Sequence, residues 1–324
     1  MNGSKKPTIG VLYSGTIKSV QKQFDEYLVN GLKDIDPDFV EGKKIHLLRP
    51  PLCADDKYDD LPKLVQNLIS KVDVLVAAGG PVAALVAKDA TKDTGKPAVV
   101  FTSVADPVAS GLVKDPTLPG GNLTGVAGLT SELDGERLGL LYELLGKDST
   151  KQLGALINPK RPIPPSNMPN PGLQKQVLQA AATSLRLQNQ LLFGQASVVA
   201  EIGPAIHQQL VGIDGLLVAA DPFFNSEAPT VTGEVGVNFP AIYQWPEFVQ
   251  GGGLMSYGPD RNDEYFQAGR FVGLILKGQQ PGNLPLYKPS PATFKLVINQ
   301  STLNGLGIQI PSAWYSRRDL VWVN

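Results

Sequence analysis

The sequence predicts an α/β fold made of two doubly wound parallel sheets, and three observations carry that prediction. Apolar runs such as Val72–Ala78 and Ala98–Phe101 end abruptly in small, polar or Gly/Pro residues. Stretches with helical spacing follow them, and Pro81 stands at the start of one, where a missing N–H costs nothing. The strand–loop–helix pattern then restarts near Gln152, so two halves of similar size follow one another. Two such halves facing each other make a cleft. In open sheets of this kind, ligands sit beyond the carboxyl ends of the strands.

The elements justify themselves in order. Thr8–Tyr13 is a strand ending in Ser14-Gly15-Thr16, and Phe24, Leu28 and Leu32 after it have helical spacing. Lys44–Leu48 reads as a strand. Leu61–Ile69 reads as a helix with Leu61, Leu64, Val65 and Leu68 on one face. Val72–Ala78, the helix Val82–Ala90 and Ala98–Phe101 complete the first half. Gly120–Val126 is a turn feeding an extended run, and Ser131–Leu145 a long helix. In the second half, Gln152–Ile157 is a strand and Pro159–Pro171 holds six prolines among thirteen residues, which excludes regular helix. Leu173–Leu185 (helix), Gln188–Leu192 (strand), Val198–Leu210 (helix), Asp214–Ala219 and Pro240–Tyr243 (strands) follow. Leu254–Tyr257, the helix Asp260–Leu276, the strand Phe294–Ile298, a short helix near Ser301–Leu306 and a tail with Arg317 and Arg318 close the chain.

Composition narrows the function classes. With 324 residues the chain has room for two domains. A net charge of -1, from 29 basic and 30 acidic residues, gives no nucleic-acid footprint. No apolar stretch reaches the roughly 20 residues that span a bilayer. The single Cys53 excludes an internal disulfide, and His46 and His207 leave little for a metal site or a general base. No G-x-G-x-x-G turn, G-x-S-x-G elbow, phosphate loop or Cys/His metal spacing occurs. The expectation is therefore binding without chemistry: no enzyme, no cofactor, no metal. The start MNGSKKPTIGVLYSG has no apolar signal core, which fits either a cytosolic protein or a trimmed form of an exported one.

Candidate binding residues stand at the strand ends. Ser14, Gly15 and Thr16 can admit a ligand to the backbone, or simply cap a helix. Gly79, Gly80 and Pro81 precede a helix whose N–H groups favour a carboxylate, or form a tight turn. Thr102, Ser103 and Asp106 follow the strand Ala98–Phe101 and can receive an ammonium group, although Asp before Pro is also a common turn residue. In the second half Asn158 and Asp221 end strands. Asp221 follows Leu216–Ala220 and is the leading candidate for a ligand cation, weighed evenly against another Asp-Pro turn. Phe223, Tyr243, Trp245 and Tyr257 are aromatic candidates to clamp a flat ligand or cover a cation, about two of them touching it.

The segments LVAAGGPVAALVAKDAT, VVFTSVADPVASGLV, PGGNLTGV, PAIYQWPEFVQGGGLMSYGPD, AGRFVGLILKG and LVINQSTLNGLGIQIP, in this order and spacing, resemble the ABC-transporter substrate-binding proteins that include the tryptophan and other aromatic amino-acid binders. The resemblance runs from about Pro7 to Pro311. It implies a type I periplasmic-binding-protein fold: two Rossmann-like lobes, one ligand in the cleft and closure on a hinge. The chain would cross between lobes near Val126–Thr130, Gly253–Tyr257 and Leu284–Pro291. The N-terminal lobe would be 1–127 plus 255–286, and the C-terminal lobe 128–254 plus 287–324. The ligand would be a small zwitterion or carboxylate, the partner an ABC permease in the membrane, the state monomeric and the location periplasmic or otherwise extracytoplasmic. A sensor or sugar-binding module of the same fold is the alternative. Two segments depart from the family pattern: the Pro-rich loop Pro159–Pro171, and Asn225–Asn238, which is polar where a helix is expected.

Overall fold

A computed structural model describes residues 5–104, 106–108, 110–128, 133–159 and 171–324, the side chains of 171–174 excepted. The chain divides into two compact units. Among the described residues, the first takes in 5–128 and 261–289, and the second 133–159, 171–260 and 290–324.

In the first unit β1 (Thr8–Tyr13) leads through a π-helical turn, Gln23–Leu28, into α1 (Val29–Ile35). Two short strands follow, β2 (His46–Leu47) and β3 (Leu52–Cys53), and then α2 (Leu61–Ile69). The unit continues through β4 (Val74–Ala78), α3 (Pro81–Thr91), β5 (Ala98–Val104) and β6 (Leu123–Ala127). The strands form a parallel sheet in the order β2-β1-β4-β5-β6, with β3 also paired to β1. Thr8–Tyr13, Val74–Ala78 and Leu123–Ala127 are buried at every position, as strands covered on both faces must be. One apolar layer gathers Leu61, Val65 and Leu68 of α2 with Ala83, Ala84 and Ala87 of α3. Each fully buried Leu or Val there contributes about 1.5–3 kcal/mol.

The chain then builds most of the second unit. Its order is α4 (Asp134–Leu144), β7 (Leu153–Ile157), α5 (Pro171–Ser184), β8 (Leu192–Gln195), α6 (Val199–Pro204), β9 (Gly215–Val218), α7 (Pro222–Ser226), α8 (Ala228–Val235), β10 (Ala241–Tyr243), α9 (Pro246–Gln250) and β11 (Met255–Gly258). It returns to the first unit as α10 (Arg261–Leu276), packed on the opposite face of the sheet from α2 and α3. Finally it re-enters the second unit as β12 (Lys295–Asn299), α11 (Gln300–Gly305) and β13 (Leu320–Val323). The second sheet runs β13-β12-β11-β10-β9-β7-β8, with the β11–β12 pair antiparallel and the other pairs parallel.

Helices α1 and α10 meet without side chains between them. A Cβ on Gly31 would lie 1.9 Å from the Phe266 carbonyl oxygen, and one on Gly269 would lie 2.1 Å from that of Leu28. Only glycine admits backbones at that separation.

Several expected elements move. The strand expected at Gln188–Leu192 begins at Leu192, because Gln188 and Asn189 are tied into a loop by bonds to the Ser149 and Thr150 carbonyls. The helix expected over Val198–Leu210 is α-helical only to Pro204 and continues as a π turn, Ala205–Gln209. Proline brings no N–H to the α ladder. Asn225–Asn238 is largely helical, as α8 and the end of α7, so this departure from the family pattern disappears. The tail is ordered: β13 pairs with β12, and Arg317 grips Asp319 through two bonds of 2.9 and 2.6 Å. Met255–Gly258, expected in a crossing and in the first lobe, pairs with β10 and β12 and therefore belongs to the second unit. Most of the Pro-rich loop, and residues 129–132 at the first expected crossing, lie outside the described residues.

Candidate functional site

The carboxyl ends of the first sheet gather a small polar cluster. β1 ends at Tyr13, and the side chain of Ser14 after it is fully buried. Its Oγ donates to the Gly79 carbonyl at 2.6 Å, joining the loops after β1 and β4. Gly79 has φ +88, and a Cβ there would fall 2.2 Å from Ser14 Oγ, so both the turn and the close approach require glycine. Gly80 precedes Pro81, the first residue of α3, and aims the helix N-terminus at the strand ends. Gly15 is buried and its carbonyl accepts from the Asp55 amide at 3.2 Å. Thr16 is half-buried, and its hydroxyl makes no cap bond to the helical turn it precedes.

β5 runs three residues further than the sequence suggested, so Thr102 and Ser103 lie inside the strand rather than after it. Its pairing with β6 shifts register between Phe101 and Val104, a bulge that puts Ser103 at φ +58. Ser103 Oγ donates to Glu264 Oε2 at 2.6 Å. Thr102 Oγ1 is buried facing the Tyr265 phenol without a well-formed bond, and burial pushes that phenol's pKa up. Asp106 is exposed and accepts from the Val108 amide at 2.9 Å, the turn role common for Asp before Pro.

Arg261, Glu264 and Tyr265 escaped the sequence reading. Arg261 Nη2 donates to Tyr13 Oη at 3.1 Å and to the Ser19 carbonyl at 2.7 Å. The signal was available: Arg261, Glu264, Tyr265, Ala268 and Val272 form the buried stripe of α10, and its first two members are charged.

The second sheet has its own cluster. Asp221 is buried and caps α7, its Oδ1 accepting from the Phe223 amide at 2.9 Å and from Asn158 Nδ2 at 3.2 Å. Asn158 Oδ1 accepts in turn from Ser197 Oγ at 2.9 Å. Three polar side chains, Ser197, Asn158 and Asp221, thus form one chain of hydrogen bonds that ends on the carboxylate. Phe223 packs beside Phe224, ring centres 5.3 Å apart.

The other aromatic candidates are placed elsewhere. Tyr243 is fully buried, stacked on Phe248 at 4.8 Å, and Trp245 is buried in the same apolar layer. Tyr243 faces the apolar layer on one side of β10 while its neighbour Ile242 faces the layer on the other, and Trp245, just before α9, joins the same layer as Tyr243. Tyr257 packs edge-on to Phe294 and lines a separate hollow of about 540 Å³ with Glu136, Leu140, Tyr142 and Arg317. Among the described residues no group of His, Cys, Asp and Glu could hold a metal ion.

The comparisons agree with this architecture. A tyrosine-binding protein of Clostridioides difficile (strain R20291) is 29% identical over 261 residues, 79% of this chain and 70% of the relative. A conserved domain protein of Vibrio cholerae superposes with a TM-score of 0.81 at 24% identity, covering 98% of this chain and 99% of that one. An ABC domain from Streptococcus pneumonia, solved in complex with L-Trp, superposes at 0.76 with 23% identity over 98% and 100% of the two chains. The fold is that of the type I periplasmic binding proteins. The family model of ABC transporter substrate binding proteins matches residues 19–319, and the chain belongs to that family.

Proposed function

We propose that this substrate-binding protein of an ABC transporter takes an amino acid, with aromatic ones preferred, and delivers it to a membrane permease from the periplasm or an equivalent extracytoplasmic space. The ligand ammonium would be received by Asp221, with Asn158 and Phe223 beside it. Within the first unit, the loops Ser14-Gly15-Thr16 and Gly79-Gly80-Pro81, with Thr102 and Ser103 nearby, would be the place suited to a carboxylate. The protein would act as a monomer. The observation that carries this reading is the buried Asp221 carboxylate, fixed at the carboxyl end of β9 by Asn158 and the Phe223 amide. A carboxylate oriented at a strand end by hydrogen-bond donors is suited to receive a ligand ammonium group. The kinship with a tyrosine-binding protein supports the aromatic preference.

The test is a thermal-shift screen of protein that has been unfolded, dialysed and refolded, against L-tyrosine, L-tryptophan, L-leucine, aromatic acids without an amine, and sugars. A ligand at a hundred times its Kd adds about 2.7 kcal/mol, several degrees in midpoint. A rise confined to amino acids and largest for aromatic ones is expected. A rise with sugars alone replaces this reading by that of a sugar-binding module of the same fold.

A further inference from the structure

The start of α4 carries an ion pair outside the residues proposed to hold the ligand. Arg137 and Asp134 are 0% and 1% exposed, with Nη1 and Oδ1 2.7 Å apart. Burial pulls the guanidinium pKa down, and the Asp134 charge opposes that pull. Burying two charges is costly, and an apolar pair of similar volume often serves stability as well or better. The pair is therefore poorly explained by stability alone.

Its geometry supplies another reason. β10 ends at Tyr243, paired with Ser256, so the next β11 carbonyl, that of Tyr257, has lost its neighbour on that side. Arg137 Nε donates to it at 2.7 Å, a side-chain donor where β10 has run out. Nη2 lies close by, 3.2 Å from where a Cβ on Gly258 would stand. The chain enters the second unit shortly before Asp134 and leaves it shortly after Gly258. One buried guanidinium thus joins the helix that follows one passage between units to the strand end that precedes another.

We propose that Arg137, held by Asp134, is a positioning residue that fixes where the chain leaves the second unit, by clamping the main chain of Tyr257 and Gly258 to the first turn of α4. The planar fork reaches the carbonyl through Nε and the carboxylate through Nη1, two fixed and separate donors that an aliphatic side chain lacks and that the single nitrogen of a lysine does not hold at that spacing.

The experiment is hydrogen–deuterium exchange of the intact protein without ligand, comparing wild type with Asp134→Leu/Arg137→Met, which removes both charges and orphans neither. Peptides covering 254–262 are expected to exchange at least tenfold faster, while those covering β7 and β9 keep their wild-type protection. Unchanged exchange across 254–262 overturns the proposal. So does acceleration spread evenly over the second unit, which is the mark of a packing role. Should the double variant fail to fold, Arg137→Lys keeps the charge and loses the fork. The same local acceleration is expected of it, and wild-type exchange in that variant is equally fatal.

Discussion

Replacing Asp221 by alanine removes a helix cap and a buried acceptor together, and the structure gives a size to each. The Phe223 amide loses its partner at the first turn of α7, a cap worth about 1 kcal/mol. Asn158 Nδ2 loses the acceptor it reaches at 3.2 Å, and a buried donor left unmet costs about 1–3 kcal/mol. The sum is about 2–4 kcal/mol, or on the order of 4–16 °C in Tm for a unit of this size. Asparagine at the same position keeps an Oδ1 acceptor for both donors and removes only the charge, so its Tm falls far less. The ligand separates the two variants in the opposite sense. A charge-assisted bond to an ammonium group is worth about 1.5–3 kcal/mol, so Asp221→Asn weakens an amino-acid ligand roughly ten- to hundredfold by calorimetric titration. An Asp221→Asn protein that binds within twofold of wild type excludes Asp221 from ligand contact. An Asp221→Ala protein with an unchanged Tm refutes the account of the buried network.

Four further outcomes follow from other parts of the molecule. Gly269→Ala forces a Cβ to 2.1 Å from the Leu28 carbonyl, an overpacking cost of about 1–3 kcal/mol in urea unfolding. Gly233→Ala, a helical position with nothing within 4 Å, gains about 0.5–1 kcal/mol. Burial, followed by the Asp55 and Asp56 charges, pushes the Cys53 thiol up to about 12. Its alkylation by iodoacetamide at pH 8 is therefore slow when folded and fast in denaturant; equal rates contradict the assignment. Burial, then its bond to Asp263 at 2.8 Å, pushes Tyr287 up to about 12. The folded phenol keeps its proton where the unfolded one, near 10, has lost it. Stability from this group is thus intact below pH 10 and declines as pH rises from 10 to 12. Tyr287→Phe flattens that decline, and an unaltered alkaline profile counts against it.

The sheets were legible because strands buried on both faces are spelled as apolar runs, and Val72–Ala78, Gln152–Ile157 and Asp214–Ala219 each lie within a residue or two of a strand. β13 was not, since LVWV at a sheet edge is half exposed and short, and nothing local separates it from a tail. Strand-end positions of candidate residues could be read, but the direction of their side chains could not. Tyr243 points into the core, and Ser14 spends its hydroxyl on Gly79. Charged residues inside a buried helical stripe, Arg261 with Glu264 and Asp134 with Arg137, were visible as a spacing. Their partners come from segments up to 248 residues away, a relation no local pattern encodes.

The glycine seam between α1 and α10 bears on how the protein is made. Gly31 receives the Phe266 backbone, and Leu28 receives Gly269, so one side of α1 stays open until a helix more than 230 residues downstream has left the ribosome. At roughly 5–20 residues per second, that interval is on the order of 12–46 s. Throughout it, Phe24, Leu28 and Leu32, all fully buried in the finished protein, stand beside a missing wall. The second unit, complete but for its last strands, is synthesised inside that gap. Synthesis of the two units is therefore interleaved: the part begun first is closed only after most of the other has been built, and the other is finished last.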